Sequence, residues 1–306
     1  MKGATVGKGA QSKRIANKVD RQLTVQAQNA LAKSAREWLA ESQSPVRIGL
    51  VLSGGGLRGA SHVGVLQQLV EHDIPIDVIV GSSAGAIITA YYAAVGLTLS
   101  ELVRDAENFK GRHLLAHCLN VRLRGRMFRT LSKLSGLIPE RLAQLDSATF
   151  DRLHHSVRGI GVACHDVVSG RPCYFATGAD YGLRLSDAVR ASASIPFLFP
   201  PIPVKRPSDG TSLLLTDGGI SDGLPVAFAR RAPLAATHLI VSDCRWVAGY
   251  RPAGDGRTVY IRPKLPSTGT LWAPASTLVS AVREGRRAVT GEALQTIHGW
   301  TACLAT

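Results

Sequence analysis

From residue 46 onward the chain alternates short apolar runs with longer stretches whose apolar positions recur at helical spacing. Residues 46–52 are strand-length and largely apolar, and they break into glycines. A helix is predicted over about 58–71, where His62, Leu66 and Leu69 fall at i, i+4 and i+7 on one face. A second strand over 77–81 runs into a tight bend, and a second helix covers about 84–95. Strand, helix, strand, helix in this order is the pattern of a parallel sheet with crossover helices. Residues 97–151 read as a helical insertion. Beyond it, strands are predicted near 157–164, 172–176, 212–216, 238–242 and 258–261, with helices over about 186–194 and 275–294. The proline-rich stretches 196–207 and 263–274 read as loops too short to link domains, and no internal repeat is present. The pattern predicts one α/β domain over 45–306.

The first 44 residues have a different pattern. Ile15, Val19 and Leu23 fall at i, i+4 and i+8, and Leu31 and Trp38 prolong a thin apolar face, but the rest is polar and basic. An N-terminal extension over 1–44 is expected, as a helix resting on the domain or a partly disordered tail. A membrane-binding arm is the alternative.

Composition agrees with one large domain: 306 residues at 45% hydrophobic content can bury a substantial core. No apolar run reaches the roughly 18 residues needed to span a bilayer. The N-terminus lacks the apolar core of a secretory signal, so a cytoplasmic location is expected, with peripheral membrane contact. Five scattered cysteines without a C-x-x-C pair predict reduced thiols, with no metal and no cofactor required.

Charge changes the picture more. A net charge of +14 favours an anionic partner. Lys110 to Pro139 holds seven Lys and Arg and no carboxylate. No aromatic RNA-binding pattern, zinc-finger spacing or basic heptad is present, so an anionic membrane surface is the expected partner and nucleic acid is not. Met127, Phe128, Leu131, Leu134 and Ile138 would share one helical face, with Arg126, Arg129 and Lys133 on others. This segment is expected either to dock on the bilayer and open an acyl groove, or to pack on the sheet with a basic edge. Ile195–Phe199 would line that groove or form an ordinary core loop.

Three segments carry candidate chemistry. In Ser53-Gly54-Gly55-Gly56-Leu57-Arg58, the glycines let backbone N–H groups approach a negative oxygen, and the adjoining helix start adds its dipole. The loop lacks the Lys-Ser/Thr of a Walker sequence and the dinucleotide fingerprint spacing. In Gly81-Ser82-Ser83-Ala84-Gly85, the G-x-S-x-G form between a strand and a helix raises Ser83 on a nucleophile elbow flanked by Gly81 and Gly85. In Leu215-Thr216-Asp217-Gly218-Gly219, Asp217 ends an apolar strand where α/β sheets place ligands, and is a candidate base. His238 comes after Ser83 and Asp217 in the order of a Ser-Asp-His triad, but it opens a strand and suits a structural role at the sheet edge. His62 suits a packed, hydrogen-bonded core position.

Together these segments resemble the patatin-like phospholipase family, with Ala191-Ser192-Ala193-Ser194-Ile195-Pro196 and Gly59–Leu66 also similar, over about 46–262. The resemblance implies a three-layer α/β sandwich with a mainly parallel central sheet. It implies a Ser-Asp dyad with Ser83 as nucleophile and Asp217 as base. The amides of Gly54, Gly55 and Gly56, with Arg58, would form the oxyanion hole. The implied activity is hydrolysis of phospholipid or lysophospholipid esters through an acyl-enzyme. Action on small soluble esters or thioesters and a silent lipid-binding role are the alternatives. One departure is Asp222-Gly223-Leu224-Pro225, where the family often carries Asn before Leu-Pro.

Overall fold

The computed structural model describes residues 46–108, 138–179, 182–206, 209–245, 255–265 and 275–302. The extension over 1–44 and the basic segment around Met127 and Phe128 lie outside the described residues.

β1 (Ile48–Leu52) leads through a short 3-10 turn (Gly56–Ala60) into α1 (Ser61–Glu71). β2 (Val78–Ser82) leads into α2 (Ala84–Thr89), which widens into a π turn to Val95. α3 (Leu99–Asn108) and α4 (Ile138–Ser147) frame the insertion and are joined by Arg141, whose guanidinium meets both oxygens of Asp105 at 2.7 and 3.1 Å. Next come β3 (Gly159–Asp166), β4 (Arg171–Ala176), α5 (Leu185–Ser192), β5 (Ile202–Lys205) and β6 (Ser212–Asp217). After the short helices α6 (Gly219–Asp222) and α7 (Val226–Ala229) stand β7 (His238–Ser242), β8 (Thr258–Ile261), α8 (Ala275–Ala288) and α9 (Gly291–Ala302).

The strands form one sheet in the order β5-β6-β3-β2-β1-β7-β8, with β4 on β3. β3, β2, β1, β7 and β8 are parallel, so the fold is α/β with a mainly parallel centre. Both faces are covered, which is why β1 and β2 are buried at every position instead of alternating. Ile48, Leu50, Leu52, Ile79, Ile160 and Ile240 join the core with α1, α2 and α8. On the opposite face lie Phe228 and Leu234, which a Cβ on Gly161 would meet at 2.6 and 2.9 Å.

Two elements differ from expectation. The proline-rich stretch 196–207 contains β5, which pairs only with β6, and a one-sided edge strand tolerates the missing N–H of Pro203. The single helix expected over 275–294 is two helices, because the Thr290 hydroxyl accepts the Ala293 N–H at 3.2 Å and caps a new helix start.

The antiparallel wing brings the two chemistry-bearing strand ends together. β3 pairs with β2 through Gly159–Ala163 and with β6 through Cys164–Asp166, while β4 pairs across Gly161–Asp166. Because β4 overlaps both partners, β2 and β6 must share the other edge of β3. They run toward one another along it, so Ser82 faces Ala163 and Asp217 faces Cys164, the next residue. Two chain ends separated by more than a hundred residues therefore meet head to head.

α1 and α8 cross at glycines. A Cβ on Gly64 would lie 1.9 Å from the Val282 carbonyl oxygen, and one on Gly285 would lie 1.9 Å from that of Ser61. Alanine gains up to about 1 kcal/mol over glycine in helix propensity, whereas overpacking against rigid backbone typically costs about 1–3 kcal/mol. Gly64→Ala and Gly285→Ala should each lower stability by about 1–3 kcal/mol in urea unfolding; a gain in either would show that the helices separate at little cost.

Candidate active site

Ser83 turns the chain from β2 into α2 at φ 52°, ψ −119°. A non-glycine residue held there carries backbone strain of order 1–3 kcal/mol, so neighbours must impose it. Its N–H donates to Ser192 Oγ at 2.8 Å, and that hydroxyl donates to the Ala163 carbonyl at 2.6 Å. Its carbonyl accepts Ala86 N–H and Ile87 N–H, the first bonds of α2. Crowding dictates the flanking glycines: a Cβ on Gly81 would lie 2.3 Å from the Gly85 carbonyl, and one on Gly85 2.2 Å from that of Leu52.

Ser83 Oγ donates to Asp217 Oδ2 at 2.6 Å. Asp217 Oδ1 accepts the Gly219 N–H at 2.7 Å, which fixes the carboxylate plane. Its backbone is tied to the end of α5: Asp217 N–H donates to the Ser194 carbonyl and Gly218 N–H to that of Ser192. Gly218 is obligatory, since a Cβ there would lie 2.2 Å from the Ala163 carbonyl. Both Ser83 and Asp217 are 6% exposed. Burial pushes the Asp217 carboxyl above the usual carboxylate range, with the bonds from Ser83 and Gly219 pulling less strongly the other way.

The glycine loop lies against this pair, Gly54 so close that a Cβ would meet Ser83 Cβ at 3.3 Å. Its amides are not equivalent. Gly54 N–H donates to the Gly223 carbonyl at 2.9 Å, so it is already engaged. Gly56, at φ 56°, opens the 3-10 turn, and among the described residues no acceptor meets the N–H groups of Gly55 and Gly56. Arg58 is buried, and its Nε donates to the Cys244 carbonyl at 2.7 Å, pinning the loop to the chain just beyond β7. Beneath the loop, His62 bonds Ser242 Oγ at 2.8 Å and the Ser53 carbonyl at 2.9 Å, as expected of a core histidine. Asp222 accepts the Tyr174 hydroxyl at 2.7 Å, which steadies the loop that carries Gly223.

His238 sits at the start of β7, the opposite end of that parallel strand from the site, about 13 Å along the strand from Ser242. Its Nδ1 lies 2.9 Å from Thr237 Oγ1, and its ring packs on Trp300. The triad order in the sequence has no counterpart in space. Ser192 is the residue that sequence reading passed over. Its family segment was visible, but only the packing of α5 over the junction of β2 and β6 gives its hydroxyl a task. Among the described residues, no group of three or more His, Cys, Asp or Glu side chains is arranged to hold a metal ion, and no helix is long and apolar enough to cross a membrane.

A family model described as patatin-like phospholipase matches residues 50–230. An uncharacterized NTE family protein of Mycobacterium tuberculosis is 32% identical over 180 residues, 58% of this chain and 27% of that protein. Lysophospholipase NTE1 of Cryptococcus neoformans var. neoformans is 32% identical over 229 residues, 70% of this chain and 12% of that one. The matched region thus spans only 12% to 27% of these curated relatives. Among solved structures, VipD from Legionella pneumophila aligns with a TM-score of 0.49 at 15% identity, over 84% of this chain and 67% of VipD.

A buried carboxyl with a raised pKa costs stability when it is ionised, that is, above its folded pKa, and costs nothing below the ordinary carboxylate pKa. Asn in its place can keep both bonds, with Oδ1 accepting from Gly219 and Nδ2 donating to Ser83 Oγ. Asp217→Asn should therefore melt at or above the wild-type temperature at neutral and mildly alkaline pH, the difference closing as pH falls into the usual carboxylate range. A variant that melts well below wild type at neutral pH would contradict the direction of that shift.

Proposed function

Because the chain belongs to the patatin-like phospholipase family, we propose that it hydrolyses the carboxylic esters of phospholipids or lysophospholipids with Ser83 and Asp217 as its catalytic pair. The reading is carried by the 2.6 Å hydrogen bond from Ser83 Oγ to Asp217 Oδ2. As Ser83 Oγ attacks the ester carbonyl, its proton passes to Asp217 Oδ2 along that bond. The charge that develops on the carbonyl oxygen is received by the N–H groups of Gly55 and Gly56 at the start of the 3-10 turn. Gly54, the third amide expected in the oxyanion hole, serves by holding the loop through Gly223, and Arg58 serves by pinning it at Cys244. Asp217 then gives its proton to the departing alcohol, leaving an acyl-enzyme. Asp217 next takes a proton from a water molecule as its oxygen attacks the acyl carbonyl, and returns that proton to Ser83 Oγ as the fatty acid leaves.

A carboxylate of ordinary pKa, about 3.9, is a poor base at neutral pH. Burial supports the role by raising that pKa, and the Gly219 bond keeps Oδ2 aimed at Ser83. The names of the fungal relatives favour lysophospholipids as substrate, and the net charge of +14 favours an anionic membrane surface as the place where it is met.

The test is product analysis on defined phospholipids and lysophospholipids, beside a short-chain soluble ester, with Ser83→Ala as control. Free fatty acid should appear from the lipids and vanish in Ser83→Ala. Asp217→Asn should lower turnover more than about 100-fold. Since a protonated Asp217 cannot take the serine proton, kcat/KM should fall as pH drops through a limb lying above the ordinary carboxylate value of about 3.9. Turnover near wild type in Asp217→Asn would remove that residue from the mechanism.

A further inference from the structure

Six large apolar side chains are exposed among the described residues, and five of them lie in segments that rim the wing of β3, β4, β5 and β6: Val167 and Val168 just past β3, Phe197 and Leu198 before β5, and Ile220 just past β6. The sixth, Val70, lies in the last turn of α1, at the end of the sheet where β2 begins. Ile220 lies in α6, three residues past Asp217. Phe197 and Leu198 come just after Ser194, whose carbonyl holds the Asp217 N–H. Val167 is four residues past Ala163, about 13 Å further along β3 than the level of Ser82. It therefore crowns the wall that β3, β4, β5 and β6 raise beside the nucleophile.

Phe197 is the extreme case. It is fully exposed, at 108% of its reference area, and is held at φ 68°. The turn is fixed from behind, with Leu198 N–H and Phe199 N–H both bonded to the Ile195 carbonyl and Phe199 buried. An aromatic ring presented to water from a left-handed backbone gains nothing from its own fold. The same wall carries exposed Arg171, paired in register with Asp166, and exposed Lys205, at the tip of β5. The carboxylates nearby are turned to the backbone or to another arginine. Asp166 accepts the amides of Val168, Ser169 and Leu214, and Asp209 pairs with Arg206.

We propose that this rim is a bilayer-insertion surface. Phe197, Leu198, Ile220 and Val168 enter the acyl region of an anionic phospholipid bilayer, and Arg171 and Lys205 meet its headgroup phosphates. Apolar side chains interleaved with exposed cations fit an anionic interface. A second copy of the chain, carrying the same +14, would meet like charge at this rim. The consequence for catalysis, that lipid is delivered at the mouth beside Ser83, rests on the proposed lipid hydrolysis; bilayer binding itself does not.

Sedimentation of the full chain with phosphatidylcholine vesicles, with and without phosphatidylglycerol, reads binding directly; a Ser83→Ala background keeps the vesicles intact. Phe197→Gly relieves the left-handed backbone, so it should melt no lower than its parent while partitioning about tenfold or more less onto vesicles. Arg171→Gln and Lys205→Gln should each weaken binding about fivefold on vesicles containing phosphatidylglycerol and hardly at all on phosphatidylcholine alone. Unchanged partitioning of a folded Phe197→Gly would overturn the proposal. So would loss in that variant of a dimer seen by gel filtration with vesicle binding intact, since a second copy would then be the occupant. Vesicle binding that obeys these rules in a protein whose Ser83 form releases no fatty acid would defeat the hydrolase reading and leave the insertion surface standing.

Discussion

The meeting of Ser83 with Asp217, and with it the proposed chemistry, depends on one edge of β3 being long enough for two strands. β2 occupies its first half in parallel and β6 its second half antiparallel, so the C-terminal ends of both strands stop against each other. Neither end can continue: β2 turns out at Ser83 and β6 at Asp217. A hydrogen bond of 2.6 Å across the junction is the product of that collision. Ser192 stitches it together, bonding the Ser83 amide and the β3 backbone with one hydroxyl while its own carbonyl holds Gly218. Loops alone would place two such groups less precisely, because only hydrogen-bonded register fixes both strand ends against a common third strand.

In the proposed function, that geometry lets the carboxylate act on the hydroxyl without a histidine between them. A carboxylate buried against a hydroxyl is held above its ordinary pKa, which is the direction a base needs. The fold bears a cost for it, in strain at Ser83 and in a buried charge that Asn would avoid. The glycine loop completes the arrangement from the side. Its position is set by Gly223 at one end and by Arg58 and Cys244 at the other, and among the described residues no acceptor meets the amides of Gly55 and Gly56.

Where steric demand is written in single residues, the sequence was readable. Gly81, Gly85 and Gly218 are each forced by backbone within about 2.3 Å of a missing Cβ, and such glycines stand out beside strand-length apolar runs. The parallel centre was legible for the same reason, since β1 and β2 are apolar throughout. What could not be read was tertiary. β5 is masked by Pro203, whose tolerance depends on being at an edge. The break between α8 and α9 hinges on one cap at Thr290. The sharing of a β3 edge is invisible in any local pattern, as is the task of Ser192. Nor does any local pattern announce that Arg58 Nε–H donates to the Cys244 carbonyl and Gly54 N–H to that of Gly223. His238 shows the converse, because a triad order along the chain implied nothing about which end of the sheet it occupies.

In the function we propose, the hydroxyl of Ser83, and not that of its neighbour Ser82, is made nucleophilic by Asp217. Treatment of the folded chain with a fluorophosphonate, then peptide mapping by mass spectrometry, tests this central claim without any assumption about substrate. One adduct on Ser83, formed far more slowly once Asp217 is replaced by Asn, is the predicted result. An adduct on Ser82, or labelling of Ser83 at an undiminished rate without the Asp217 carboxylate, would contradict it.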